Sequence, residues 1–274
     1  MGNWVTVNGP SSTVYCPPFI VPRPPSAMRL CLVPLKTIPR HPRQNWRRFQ
    51  SVMESVGTRK PDLVCLPECT FTGYLYEEDD LRRFAEPVPG PATEAMGAIA
   101  RRYGTFVCFG LLEQSAEGVY DTAVLLDREG EIRLVQRKIS ERAPFARGER
   151  IHSVATELGQ LAILTCGDLF APQAVAQLPP ELNLLLVPMA RAFAGRSPHP
   201  ERWETEERAA YLQAVRETNS LAALVNALEI GVAEPSFGGA LLVSPRGELL
   251  AESPHGTDEV LFIDHGRQTT DNGR

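Results

Sequence analysis

Two periods of hydrophobic and polar positions alternate along this chain. Arg29–Leu35 is a short apolar run and predicts a first strand. Pro42–Val56 then carries Trp46, Phe49, Val52, Met53 and Val56 at the spacing of one helix face. Asp62–Leu66 predicts a short strand of the fully buried kind. Ala92, Ala95, Met96, Ile99, Ala100 and Tyr103 mark a second amphipathic helix. Three strands are predicted in succession at Phe106–Leu112, Tyr120–Asp127 and Ile132–Lys138, the latter two joined at Asp127-Arg128-Glu129-Gly130 as a hairpin. Gln160–Thr165 and Leu182–Val187 predict further buried strands, with a short helix, Ala171–Leu178, between them. Arg202–Thr218 predicts one long helix with Glu204 and Arg208 paired across a turn. Leu221–Asn226 returns to strand. A hairpin of Ala240–Ser244 and Glu248–Glu252 turns at Pro245-Arg246-Gly247, and Glu259–Asp264 is the last strand.

This order is neither a strict βαβ repeat nor an all-β pattern. It fits a mixed α/β (α+β) fold with two sheets in the core and helices outside. Residues 1–27 break the pattern: Pro10, Pro17, Pro18, Pro22, Pro24 and Pro25 crowd a stretch with no period, and we expect an extension that is flexible or wraps the surface. Residues 265–274 are polar and are expected to form a flexible tail. No long linker divides residues 28–264, so one domain is expected there.

The 274 residues are 43% hydrophobic and 22% charged, the make-up of an ordinary globular chain, which excludes a disordered or fibrous protein. No apolar run approaches the roughly 20 residues that span a bilayer. A formal charge of -5 with scattered arginine doublets (Arg47-Arg48, Arg82-Arg83, Arg101-Arg102) argues against a nucleic-acid partner and predicts solvated helix faces. The six cysteines form no CxxC pair and no small disulfide framework, which predicts a reducing, cytoplasmic location; the N-terminus lacks the apolar core of a signal peptide. His41, His152, His199, His255 and His265 lie in polar or turn-like stretches, none at metal spacing, and are expected at the surface.

Three strand ends can carry chemistry. Leu63-Val64-Cys65-Leu66-Pro67-Glu68 places a carboxylate where a buried strand leaves its sheet, a common position for a site and also for a carboxylate that merely faces water. Ile132–Lys138 ends in a lysine, which fits either a site or a protected sheet edge. In Thr165-Cys166-Gly167-Asp168-Leu169-Phe170 a cysteine ends an apolar strand before a short helix. That layout suits a nucleophile: helix N-terminus and nearby cation favour thiolate, and the next peptide N–H can face an oxyanion. The alternative is a buried structural thiol.

Glutamate, lysine and cysteine at strand ends, in that order, resemble the nitrilase or carbon–nitrogen hydrolase superfamily, and the likeness spans Met28 to Asp264. Pro61–Glu68 with Gly73-Tyr74 resembles the family's first motif, Arg137-Lys138 its lysine motif, and Cys166-Gly167-Asp168-Leu169-Phe170-Ala171-Pro172 its nucleophile motif. Leu184–Pro188 resembles the strand leading to a pocket loop. Arg202–Asn219, ending Val215-Arg216-Glu217-Thr218-Asn219, resembles the long helix, and Phe237-Gly238-Gly239 through Pro245-Arg246-Gly247-Glu248 the closing hairpin. Three features depart from the pattern. Glu141, in Glu141-Arg142-Ala143-Pro144-Phe145-Ala146-Arg147-Gly148, fits the family's second glutamate but follows Lys138 by only three positions. Gln173 stands where a glutamate is common. Gly167 is small and is expected to leave room beside the nucleophile, and Gly167-Asp168 in place of Trp-Glu argues against a nitrile substrate.

The resemblance implies a four-layer α-β-β-α sandwich and a hydrolase of a small, non-peptide amide that releases ammonia through a cysteine thioester. It assigns Glu68 as general base, Cys166 as nucleophile, and Lys138 with the Gly167 N–H as oxyanion donors; Glu141 is a candidate to orient substrate or lysine. It implies no metal, no organic cofactor, no nucleic-acid or membrane partner, and a homodimer or larger homo-oligomer. Pocket walls are expected from Cys69–Tyr76, Arg142–Arg150 and Met189–His199, with Tyr74, Phe145, Phe170, Met189 and Phe193 as either substrate contacts or packing. Arg191 and Arg196 can either meet a substrate carboxylate or sit in a solvated loop. An N-carbamoyl amide hydrolase, acyl transfer to an acceptor other than water, and a non-catalytic binding protein stay open as alternatives.

Overall fold

A computed structural model describes residues 28–192 and 200–265, together with a small antiparallel pair, Trp4–Val5 with Val14–Tyr15. The rest of the expected extension, the stretch 193–199 with Phe193 and Arg196, and residues 266–274 lie outside the described residues.

Two six-stranded sheets form the centre. The first runs, from edge to edge, Leu261–His265, Met28–Leu32, Leu63–Cys65, Phe106–Ser115, Gly118–Leu126 and Ile132–Arg137. The second runs Leu249–Glu252, Ala240–Val243, Ala222–Asn226, Leu184–Met189, Gly159–Ile163 and Ser153–Thr156. In each, three parallel strands are flanked by antiparallel ones.

Period-two alternation sorts each strand into two layers of contacts. Leu30, Leu32, Leu63, Cys65, Ala123 and Leu125 meet Leu161, Ile163, Leu184, Leu186, Ala223 and Val225 between the sheets. The alternate residues Cys31, Val33, Val64 and Val107 pack outward against Phe49, Met53, Met96 and Ile99 of the helices Pro42–Val56 and Pro91–Tyr103. On the other side Leu185, Val187 and Leu224 meet Tyr211, Ala214 and Val215 of the helix Arg208–Thr218. The result is the expected α-β-β-α sandwich.

Both predicted hairpins form. Asp127 Oδ1 accepts the N–H groups of Glu129 and Glu131 in the first, and Ser244 Oγ those of Arg246 and Glu248 in the second. The exposed arginine doublets at 82–83 and 101–102 fall on helix faces as expected. Two short elements escape the periodicity: the helix Glu78–Phe84 and the four-residue edge strand Ser153–Thr156. Each is too short for its repeat to emerge from the sequence. The last strand runs to His265, one residue into the expected tail, and pairs antiparallel with Met28–Leu32. Among the described residues no helix is long and apolar enough to cross a membrane.

The expected long helix requires correction. It begins two residues earlier, with a short α-helical stretch, Pro200–Arg202, and passes through a π-helical stretch, Trp203–Glu207, before the regular helix Arg208–Thr218. In the structure Trp203 is buried, its indole N–H donates to Glu252 Oε1 at 2.8 Å, and its ring stacks on His255 at 3.6 Å between centroids. Arg208 donates to Glu252 Oε2 at 3.1 Å instead of serving the expected pair with Glu204. His255, expected at the surface, is thereby half-buried with Nδ1 3.2 Å from Glu252 Oε1. Burial and then the Arg208 charge push its imidazole down to about 3, so it is neutral at ordinary pH.

One glycine fixes how the first sheet meets the site. Gly110 donates to Pro67 O at 3.0 Å and accepts from Thr70 N at 2.9 Å. A Cβ on Gly110 would lie 2.6 Å from Cys69 N and 2.7 Å from Glu68 Cα, both backbone atoms that cannot swing aside. We expect Gly110→Ala to lower unfolding stability by about 1–3 kcal/mol in urea titration, the range of overpacked cores; wild-type stability would contradict this close approach.

Candidate active site

The Glu68 carboxylate is carried past the end of the parallel strand Leu63–Cys65 by Leu66-Pro67. Thr70 Oγ1 donates back to Pro67 O at 2.6 Å, and Cys69 holds a left-handed φ of 45°, which turns the chain sharply. Asn45, buried in the first helix, accepts from Ile38 N and donates to Phe71 O, which ties the helix to the turn. Glu68 is 1% exposed, which removes the reading of a carboxylate facing water.

Lys138 follows the strand Ile132–Arg137. Its N–H donates to Asp121 O at 2.9 Å and its carbonyl accepts from Gly148 N at 2.8 Å. The buried ammonium donates to Glu68 Oε1 at 2.7 Å, Glu141 Oε2 at 2.6 Å and Asp121 Oδ2 at 3.2 Å. It is therefore not an edge lysine in solvent. Tyr74 covers it, ring centroid 5.1 Å from Nζ, and the Tyr74 hydroxyl donates to Glu141 Oε2 at 2.5 Å. Glu141 reaches the site despite its short spacing because the loop folds over Asp168. Asp168 Oδ1 accepts from Ile139 N at 3.1 Å and Ser140 N at 2.7 Å. The Asp168 of the cysteine turn thus holds the lysine loop in place.

Cys166 opens the 3-10 turn Cys166–Phe170, also at φ 45°. An L-residue held in that region stores roughly 1–3 kcal/mol of strain, a feature that clusters at functional sites. Its side chain is only half-buried, whereas the thiols of Cys31, Cys65, Cys69 and Cys108 are fully buried. Gly167 lies against the lysine: a Cβ there would be 4.0 Å from Lys138 Cε and 2.9 Å from Ser140 Oγ. The expectation that Gly167 leaves open room is thus corrected, because Ser140 fills that space.

Burial, then the Cys166 charge, pushes the Glu68 carboxyl up to about 7, with Lys138 pulling the other way. Burial works against the Lys138 ammonium, but the charges of Glu68, Asp121 and Cys166 hold it well above its ordinary value. Burial also raises Asp121, with the Glu68 charge adding to it. Glu141 ends below the usual range: burial would raise it, but the Lys138 charge and hydrogen bonds from Lys138, Tyr74 and Arg142 N prevail. Among the described residues, oxygens of Glu68, Asp121 and Glu141 lie within 4.8 Å of one another, a donor set that can ligate a cation. The cation at its centre is the Lys138 ammonium itself, so these residues do not fit an additional metal ion.

Of the expected pocket residues, Phe145 packs on Tyr74 at 5.8 Å between centroids. Phe170 is half-exposed and meets Tyr211 edge-on at 5.0 Å. Met189 is a correction: it is 2% exposed and packed with Trp203 and Phe237 in the layer beneath the helices, not on a wall. Arg191 is half-buried, its guanidinium 3.4 Å from Glu207 Oε2. Cys69, expected beside the site, points its buried thiol at Asp121 Oδ1, 3.9 Å away. Sequence reasoning missed Asp121 and Ser140. A carboxylate inside the apolar run Val119–Leu126 was the available signal for Asp121; Ser140 had none.

A sandwich of this topology with a buried Glu-Lys pair beside a strained cysteine turn defines a class, the nitrilase-like hydrolases. The carbon–nitrogen hydrolase family matches residues 33–274, and the chain belongs to it. An (R)-stereoselective amidase of Pseudomonas sp is 28% identical over 74% of this chain and 72% of its own length. An omega-amidase of Xenopus tropicalis is 23% identical over 80% and 81%. Among solved structures, a mutant of the amidase from Nesterenkonia sp. AN1, with the acetamide moiety of fluoroacetamide added covalently at its active-site cysteine, superposes with a TM-score of 0.71 at 24% identity, covering 89% of this chain and 92% of that one. A nitrilase-superfamily protein of Saccharomyces cerevisiae gives 0.73 at 18% identity, covering 87% and 89%; both show the shared fold.

Asp168→Ala leaves the buried N–H of Ser140 without its acceptor and frees the loop that aligns Lys138 and Glu141. We expect a loss of about 1.5–3 kcal/mol in chemical denaturation, the range for hydrogen bonds to a charged group, with a parallel fall in turnover. A variant as stable and active as the wild type would show that this tie aligns nothing.

Proposed function

We propose that this hydrolase cleaves the carbon–nitrogen bond of a small, non-peptide linear amide, with Glu68 as general base, Cys166 as nucleophile and Lys138 as oxyanion donor. The observation that carries the reading is the buried 2.7 Å contact between Lys138 Nζ and Glu68 Oε1, beside a cysteine turn whose charge acts on both groups. The amidases among its relatives support the same reading, as does the covalent addition of the acetamide moiety of fluoroacetamide at the active-site cysteine of the Nesterenkonia amidase mutant.

Each side chain suits its step. Cys166 Sγ attacks the amide carbon while its proton passes to Glu68. The carbonyl oxygen takes up the negative charge, met by the Lys138 ammonium and the Gly167 N–H, donors held in place before reaction. The tetrahedral intermediate collapses, the carbon–nitrogen bond breaks, and Glu68 returns its proton to the leaving nitrogen, which departs as ammonia. Glu68 then takes a proton from water, the resulting hydroxide attacks the thioester, the carbon–sulfur bond breaks and Glu68 returns that proton to the sulfur; the carboxylic acid formed gives its proton to the released ammonia. Glu141 accepts from the ammonium and from the Tyr74 hydroxyl, and so holds the lysine in place. Carboxylates on both sides keep Lys138 charged, so it acts as a donor and not as a base.

Cys166→Ala should lower ammonia release from simple amides by about a thousandfold or more, and mass spectrometry of the wild type with a slow amide should show an acyl adduct at Cys166; full turnover in the variant would overturn the assignment. A ureido substrate that releases carbon dioxide along with ammonia would redirect it to the carbamoyl class. Glu68 must be ionised to accept the thiol proton, and burial raises its carboxyl to about 7. The rate kcat/KM should therefore fall about tenfold per pH unit on going below that value. A flat profile from pH 5 to 8 would exclude Glu68 as the base.

A further inference from the structure

We propose that Asp121 is a positioning residue that holds one proton in common with Glu68, so that the pair, and not Glu68 alone, sets when the base is free. The inference rests on the catalytic reading above and goes beyond the triad and second glutamate that the resemblance supplied.

The argument begins with charge. Lys138 Nζ is met by three carboxylates, Glu68, Asp121 and Glu141, and none of the four side chains is more than 8% exposed. Fully ionised, the cluster carries three negative charges against one positive, with little water to screen them. Removing the Cys166 proton would add a further negative charge beside it. A buried surplus of this kind is relieved by protonating one carboxyl, as in carboxylate pairs that share a site.

Hydrogen bonding then says where that proton sits. Glu141 has no free seat: Oε2 accepts from Lys138 and from the Tyr74 hydroxyl, and Oε1 from Arg142 N. Glu68 Oε1 accepts from Lys138, but among the described residues Glu68 Oε2 is buried with no hydrogen-bond partner. Asp121 Oδ2 accepts from Lys138, and among the described residues Asp121 Oδ1 meets only the Cys69 thiol, a weak donor at 3.9 Å. The open seats are thus on Glu68 and Asp121, whose oxygens lie within 4.8 Å of each other. Both carboxyls are pushed up by burial, with Cys166 acting further on Glu68 and Glu68 on Asp121.

Position explains why the aspartate is there. Along the strand Gly118–Leu126, Ala123 and Leu125 face the core between the sheets, and Asp121 continues that face to the point where the core meets the site. Its backbone carbonyl also accepts from Lys138 N at 2.9 Å, so one residue positions the lysine through both main chain and side chain. The groups facing Asp121 are Lys138, Glu68, Cys69 and Glu141, with Tyr74 covering the ammonium. With the shared proton on Asp121, Glu68 is free to take the proton from Cys166. The step then moves one proton from sulfur to Glu68 and one negative charge from Glu68 to sulfur, and the net charge of the site does not change.

The test is Asp121→Asn, which keeps an acceptor for Lys138 and cannot ionise. The acid limb of kcat/KM should stay within about half a unit of the wild type, because an Asp121 that holds the proton puts no like charge beside Glu68. A limb moved to lower pH by about one unit or more, in a variant that melts like the wild type, would show Asp121 ionised in the working form and overturn the proposal. Infrared difference spectra of the resting protein at neutral pH supply a readout that needs no turnover. A protonated carboxyl band should be present in the wild type and lost in both Asp121→Asn and Glu68→Gln; only ionised carboxylate bands in the wild type would equally overturn it. If Asp121→Asn does not fold, the wild type and Glu68→Gln spectra still decide. An active Cys166→Ala variant would defeat the catalytic reading and leave the infrared result standing.

Discussion

The site depends on keeping one ammonium charged where water is scarce. Lys138 is buried, and burial alone would favour its neutral form; the three carboxylates within 2.6–3.2 Å reverse that preference. The compensation is mutual only in part. Glu141 gains enough from the lysine and from Tyr74 to stay ionised, whereas Glu68 and Asp121 are held above the ordinary carboxyl range. Three carboxyls around one cation therefore divide into an anchor and a proton-holding pair, and this division suits a base that must accept and return a proton in each half-reaction.

Such a cluster tolerates little displacement, and the backbone around it is correspondingly constrained. Glu68 leaves a parallel strand and turns at once through Cys69 in a left-handed conformation, against a strand that must carry glycine at 110. Lys138 is held by the main chain of Asp121 and Gly148, and its loop by Asp168 from the cysteine turn. Cys166 is the second strained residue. The two sheets converge here: glutamate and lysine come from the first, cysteine from the second. Layer packing between the sheets thereby fixes a chemical distance that no single element could set.

Much of this was legible in the chain. Glu68 and Cys166 each follow a run of mostly buried apolar residues, whereas Lys138 ends the half-exposed strand Ile132–Arg137, and it was the order of the three, in its resemblance to the family, that singled them out. The hairpins were legible because Asp-x-x-Gly and Pro-x-Gly turns carry their own local geometry. Glu141 stood in doubt because loop length along the sequence says nothing of how a loop folds; Asp168 pulls it back. Asp121 was hidden inside an apolar strand pattern, where a single polar residue looks like an interruption. The departure from a regular helix at Trp203–Glu207 was hidden for a similar reason: hydrophobic spacing does not distinguish an α turn from a π turn, and the burial of Trp203 against His255 and Glu252 appears only in three dimensions.

By itself the sequence determined the layer order, the strand ends and the types of residue at them, because burial and turn propensity act over a few neighbouring residues. Only the tertiary structure decided which of those ends meet, that Ser140 fills the space beside Gly167, that Met189 is packing, and that a third carboxylate stands at the lysine. These are distances between residues far apart in the chain, and in a dry site they set charge and protonation, which no local pattern encodes.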